Sequence, residues 1–322
     1  MMYRAAIACA CWATLVTMPG VVAAEEYKPD PGYKPTRDLS QFFAKVKAGR
    51  PVTVMGIGGS VTEGHSWAAM SAEWLQKQYP NTHVHYVDGA FGGTGPDAVV
   101  FRFRRDILPH HPDLVFIEYT VNSYAKHDIN FKALDGMVLE LLRQWQKPDI
   151  VFVYVGNDKG ERDLSKVQPL ARHYGFQEVD PRKHLQTLID AGKVRWQDIA
   201  RDRIHPNEKG HAIYAEPLIQ LLKQQAALAD RPTPVPPVPP PYASEEWAHA
   251  ALVPVAAAHY GSQWKAVKPS PWGERFWDEM LECDQVGATL TFTANTVSGT
   301  YAVSVTAPAV TGSPLVYEEE NQ

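Results

Sequence analysis

Short apolar, β-branched runs alternate with helix-like segments from residue 52 to residue 222, and this alternation restricts the fold more than any other feature of the chain. It is the pattern of an α/β protein, a parallel sheet covered by helices on both faces. Residues 52–57, 83–87, 114–119 and 150–155 read as strands, with a weaker one at 177–179. Residues 67–78, 97–108, 131–146, 164–174 and 207–228 read as helices, the last kinked or broken at Pro217, which lacks the N–H the helix ladder needs. Such sheets bind ligands beyond the carboxyl ends of their strands, so functional residues are expected just after strands.

The two ends differ from this middle. Residues 1–24 carry Arg4, an apolar run over 5–16, Pro19-Gly20 and Val22-Ala23-Ala24 ahead of Glu25-Glu26, the layout of a signal peptide cleaved after Ala24. That layout predicts a secreted or periplasmic product. No later stretch approaches the roughly 20 apolar residues of a membrane span, so no integral membrane segment is expected after cleavage. Cleavage also removes Cys9 and Cys11, leaving Cys283 as the one thiol and no internal disulfide. It takes one base and no acid, leaving 30 basic against 36 acidic residues, a net charge of −6, which excludes an electrostatic footprint for nucleic acid or an anionic membrane.

Residues 231–241 (RPTPVPPVPPP) hold seven prolines in eleven, an extended linker closing a domain of residues 25–230. Beyond it, residues 242–322 read as a small β-rich accessory region, with period-two alternation on either side of Ser298-Gly299 forming a hairpin. Four of the nine tryptophans, Trp247, Trp264, Trp272 and Trp277, lie here beside Tyr242, Tyr260 and Phe276. Such aromatics either fill a small β core or stack on sugar rings. The region is expected to pack on the main domain or, in a homo-oligomer, on a partner subunit.

Gly56-Ile57-Gly58-Gly59-Ser60-Val61-Thr62-Glu63-Gly64 follows the first strand directly. It is not a phosphate loop, lacking Gly-Lys-Ser/Thr, nor a dinucleotide loop, having Val61 where the third glycine belongs. Thr62 likewise occupies the second glycine position of an α/β-hydrolase nucleophile elbow. Two readings survive, a plain glycine turn or a serine exposed at a strand's carboxyl end. A serine hydroxyl needs a base, and Asp202-Arg203-Ile204-His205-Pro206 offers a histidine with a carboxylate three residues earlier that can curl back to its Nδ1–H. Pro206 biases His205 away from the α conformation and presents it on a loop. The competing reading is a surface loop ahead of a capped helix. Oxyanion donors would come from the Ser60 backbone, the Gly92-Gly93-Thr94-Gly95 backbone and the Asn122 side-chain amide.

Read together, these stretches resemble the SGNH subgroup of GDSL-type esterases, whose four blocks occur in order across residues 52–222: the glycine-serine block at 58–64, the glycine block at 92–95 with Arg102 after it, the asparagine block at 112–122, and Asp202 to His205. The resemblance implies a flavodoxin-like three-layer sandwich with five parallel strands in order 2-1-3-4-5. It implies Ser60 as nucleophile, His205 as base, Asp202 as its orienter, an oxyanion hole of Ser60, Gly93 and Asn122, and no cofactor. Two positions depart from the family pattern. Gly59 replaces the aspartate of Gly-Asp-Ser, and Ser123 replaces the aspartate that commonly follows the asparagine and positions its loop.

The implied activity is hydrolysis of acyl esters, acetyl by analogy, on a small molecule or polysaccharide. The alternatives are acyl transfer onto a polysaccharide through the same acyl-enzyme, and a catalytically idle carbohydrate-binding protein. Twelve histidines raise the question of a metal, but His83 with His85, and His110 with His111, lack a third ligand at suitable spacing and read as surface residues. Asn157-Asp158 reads as a turn after the fourth strand.

Overall fold

The structure, a computed structural model, describes residues 30–122, 128–162, 164–250, 252, 254–269, 273–275, 279–296 and 299–306. Residues 1–24, read above as a signal peptide, and Ser123, Trp272, Phe276, Trp277 and Ser298 lie outside the described residues.

Five parallel strands, β1 (Val52–Gly58), β2 (Val84–Asp88), β3 (Leu114–Glu118), β4 (Asp149–Val153) and β5 (Gln177–Val179), form one sheet in the order β2-β1-β3-β4-β5. Because side chains alternate along a strand, Val54, Phe116, Val151 and Val153 enter one core while Met55, Ile57, Val115, Ile117 and Phe152 enter another on the opposite face. The first core is covered by α1 (Ser40–Lys47), α2 (Trp67–Gln78) and the last helix of the domain, and the second by α3 (Pro96–Asp106), α4 (Asp128–Arg143) and α5 (Val167–His173). This is the three-layer α/β sandwich implied by the family resemblance. The order of strand addition reverses at β1, with β2 on one side and β3 on the other, so the carboxyl ends of β1 and β3 open on the crevice where ligands bind in such sheets.

Helices α6 (Pro181–Asp190), α7 (Trp196–Ile199) and α8 (Glu208–Ala226) complete the domain. The expected break at Pro217 does not occur: α8 is one continuous helix through it. An interior proline costs about 3 kcal/mol. Against that, α8 buries Tyr214, Leu218, Leu221 and Leu222, each contributing about 1.5–3 kcal/mol, and Pro217 itself is buried. Among the described residues no helix is long and apolar enough to cross a membrane.

The proline-rich segment is extended and fastened along the domain. Arg37 Nη2 donates to the carbonyls of Pro236 and Pro237 at 3.1 and 2.8 Å, Gln41 donates to that of Thr233, and a His173 ring nitrogen lies 2.8 Å from that of Pro240. The chain then hooks onto Asp135 of α4, a fully buried carboxylate that accepts the Tyr174 hydroxyl and the amides of Ala243 and Ser244. Ala248 enters the second core, and Trp247 packs edge-on against Phe101 of α3. The backbone passes so close that a β-carbon on Gly136 would lie 2.5 Å from the Trp247 carbonyl carbon. Further on, β6 (Ala258–Tyr260), β9 (Thr289–Thr296) and β10 (Gly299–Thr306) form a small antiparallel sheet, and β7 (Lys265–Val267) pairs with β8 (Met280–Glu282). The β9–β10 hairpin is the one expected from the alternation.

Candidate active site

Ser60 stands two residues past β1 in a turn closed by the Thr62 and Glu63 amides, both donating to the Gly59 carbonyl. The turn is seated from below by Glu118 at the end of β3. This wholly buried carboxylate accepts from the Thr62 hydroxyl at 3.1 Å and the Thr120 amide at 2.9 Å, tying the serine turn to the segment that leads to Asn122. Burial pushes the Glu118 carboxyl up, and these donors oppose the shift.

His205 arrives from the other side of the crevice. Ser60 Oγ lies 2.8 Å from His205 Nε2, and His205 Nδ1 lies 2.7 Å from Asp202 Oδ2. The other carboxylate oxygen of Asp202 accepts the amides of Ile204 and His205 at 2.7 and 2.8 Å, so the loop folds around its own acid. Burial alone would raise the Asp202 carboxyl, but those amides and the imidazole hold it below the usual carboxylate range. The neck of the loop is closed by the Arg201 amide on the His205 carbonyl and the Asn207 amide on the Ile199 carbonyl, after which Asn207 caps α8. The sequence-expected Ser60, Asp202 and His205 thus meet although more than 140 residues separate the first from the others.

Gly93 and Asn122 come to the same end of the sheet. The Gly93 backbone is left-handed, at φ +71°, a conformation that favours glycine, and its amide has no partner among the described residues. The neighbouring Gly92 amide, by contrast, is taken by Glu63 Oε2 at 3.1 Å. Asn122 is buried, and its carboxamide lies directly over Gly59: a β-carbon there would stand 2.2 Å from Asn122 Oδ1. This contact gives a local reason for glycine where the family commonly carries aspartate.

Several residues that shape the site were not singled out from the sequence. Trp196 Nε1 donates to the Asp202 carbonyl at 2.7 Å. The Asp158 amide donates to the Arg203 carbonyl, and buried Arg182 grips the carbonyls of Asn157 and Asp158, so the expected turn at 157–158 also props the His205 loop. The proline following Asp180 and the acidic cap of α6 were the available signals for Arg182. Nothing local marks an indole six residues ahead of Asp202. His211, in the first turn of α8, is driven down to about 4 by burial and by nearby Arg201, and is neutral at neutral pH. His83, His85, His110 and His111 are exposed, and among the described residues no group of three or more His, Cys, Asp or Glu stands together as metal ligands would.

A centre that can attack an acyl carbon and hold the charge that results puts this fold and site among the carboxylic ester hydrolases. The model of the GDSL-like lipase/acylhydrolase family matches residues 56–213, a span containing Ser60, Gly93, Asn122, Asp202 and His205. No curated protein matches the chain. Among solved structures it is similar to a two-domain esterase (CEX) active on acetylated mannans, at 22% identity and TM-score 0.72 over 80% of this chain and 72% of that one. The same esterase co-crystallized with mannopentaose gives TM-score 0.68 at 22% identity, over 82% of this chain and 73% of the other. An acetylxylan esterase from Geobacillus stearothermophilus, Axe2, is 20% identical at TM-score 0.45, over 54% of this chain and 94% of its own.

Proposed function

We propose that this protein is an exported serine esterase that removes acetyl groups from a carbohydrate. The observation that carries the reading is the unbroken relay from Ser60 Oγ to His205 at 2.8 Å and from His205 to Asp202 at 2.7 Å. Ser60 Oγ attacks the ester carbonyl carbon while His205 Nε2 takes its proton. Asp202 keeps Nδ1 protonated and stabilises the imidazolium. The carbonyl oxygen, now an anion, is held by the amides of Ser60 and Gly93 and by the Asn122 carboxamide. Collapse expels the sugar alkoxide, which takes the proton from His205. Water then repeats the sequence on the acetyl-enzyme, releasing acetate and restoring the Ser60 hydroxyl.

A polymeric substrate is supported by the openness of the site, where the His205 side chain is 37% and the Asp202 side chain 54% exposed. Acetylated mannan is the first polymer to try, because the CEX esterase that shares this fold is described as active on it. The test measures acetate release from acetylated mannan and hydrolysis of p-nitrophenyl acetate by the purified protein and its Ser60→Ala variant. The variant is expected to lose at least about 10³-fold. Equal rates for the two proteins would remove the proposal.

A further inference from the structure

Two carboxylates are exchanged between the serine turn and the glycine loop. Asp88, at the end of β2, accepts the Gly64 amide at 2.7 Å with one oxygen and the Ala90 amide at 3.1 Å with the other. Glu63, three residues past Ser60, reaches in the opposite direction and accepts the Gly92 amide at 3.1 Å. The remainder of the glycine loop is anchored farther back: the Gly89 and Phe91 amides donate to the carbonyls of Gly56 and Gly58, Arg102 donates to the Gly89 carbonyl, and the Thr94 hydroxyl donates to the Phe91 carbonyl. Glu63 is thus the contact from the serine turn that holds the loop at the residue next to Gly93. It also lies close to the nucleophile, since a β-carbon built on Gly92 would stand 2.6 Å from Glu63 Oε2 and 3.5 Å from Ser60 Cβ.

We infer that Glu63 is a positioning residue that fixes the Gly93 amide relative to Ser60 by accepting the adjacent Gly92 amide. The inference rests on the esterase reading, in which Gly93 is an oxyanion donor. A left-handed glycine has wide conformational freedom, and a donor misplaced by about 1 Å can cost on the order of 10²-fold in rate. What the reaction needs from Glu63 is an acceptor at the right reach, and its charge is dispensable. Glutamine keeps that acceptor, alanine removes it, and aspartate keeps the charge but falls one methylene short.

The experiment measures kcat and KM on p-nitrophenyl acetate, inhibition by a boronic acid that forms a tetrahedral adduct on the serine, and hydrogen exchange of the peptide spanning residues 89–95, in all three variants. Glu63→Ala and Glu63→Asp are expected to lose about 10–100-fold in kcat with KM within about threefold, to weaken boronate inhibition in parallel, and to exchange faster over residues 89–95. Glu63→Gln is expected to stay within about threefold of wild type in all three readouts. Should Glu63→Ala not fold, Glu63→Asp carries the test. Wild-type kcat in both shortened variants, or a glutamine variant as impaired as they are, overturns the inference. If the wild type proves no faster than Ser60→Ala, the esterase reading fails instead, and the exchange measurement still decides whether Glu63 holds the loop.

Discussion

Replacing Gly59 by alanine probes the oxyanion hole by steric contact alone. The added β-carbon falls 2.2 Å from Asn122 Oδ1, 2.6 Å from Cγ and 3.0 Å from Nδ2, where non-bonded heavy atoms settle at about 3.5–4 Å. The carboxamide must therefore retreat by roughly 1 Å, carrying its N–H groups away from the carbonyl oxygen they would hold. Loss of one such donor costs about 3 kcal/mol of barrier, or ~10²-fold in kcat. Stability changes less, because the atoms displaced are the end of a side chain and Gly59 is not in the left-handed region. The assay is kcat on p-nitrophenyl acetate for Gly59→Ala, Asn122→Ala and the double variant, with a melting curve for each. If alanine acts through Asn122, the double variant loses no more than Asn122→Ala alone. Wild-type kcat in Gly59→Ala, or losses that simply add in the double variant, refute the reasoning.

Asp202→Asn retains an oxygen for the Ile204 and His205 amides, so the loop keeps its shape, but it presents an N–H to His205 Nδ1 and favours the wrong tautomer; kcat is expected to fall about 10³–10⁴-fold at unchanged melting temperature, and a smaller loss than tenfold would contradict the role given to Asp202. Burial pushes the Asp149 carboxyl up to about 7 from an ordinary 3.8, although the Phe42 amide donates to it. The folded protein then holds a proton that the unfolded chain has shed between about pH 4 and 7, so stability falls as pH rises through that window. Asp149→Asn, which still accepts from Phe42, is expected to melt higher than wild type at pH 8, with the gap closing toward pH 4; thermal scans across that range showing no gap at pH 8 would exclude it.

The parts of this architecture that were readable in advance are those with a long-period or positional signal. Strands β3 and β4 are buried on both faces and appear as uninterrupted apolar runs, and α2 is flanked by a serine cap and lies within the bounds expected. Ser60, Asp202 and His205 were legible because their chemistry confines them to strand ends and loops. Helix α7 has four residues, too few to show a period; α1 was not expected, although Leu39, Phe42, Phe43 and Val46 repeat at helical spacing. Asp180 ahead of Pro181 was a usable start signal for α6, a side-chain cap followed by proline at the first helical position. Of the supports of the site, Glu118, Arg182 and Glu63 act across tertiary contacts of 3.0–3.1 Å between distant segments, and Trp196 reaches the Asp202 carbonyl at 2.7 Å. No local pattern encodes such pairings.

The buried hook at Asp135 bears on where this protein can be cut. A fragment ending at residue 230 strips the carboxylate of the two amides at 243 and 244 and leaves the slot of Ala248 and Trp247 wet. Each of those two hydrogen bonds lost costs about 1–3 kcal/mol, and of the three donors to Asp135 the Tyr174 hydroxyl remains. Anyone seeking the smallest working enzyme does better to place the terminus beyond residue 250, keeping the proline stretch as a brace of the catalytic body.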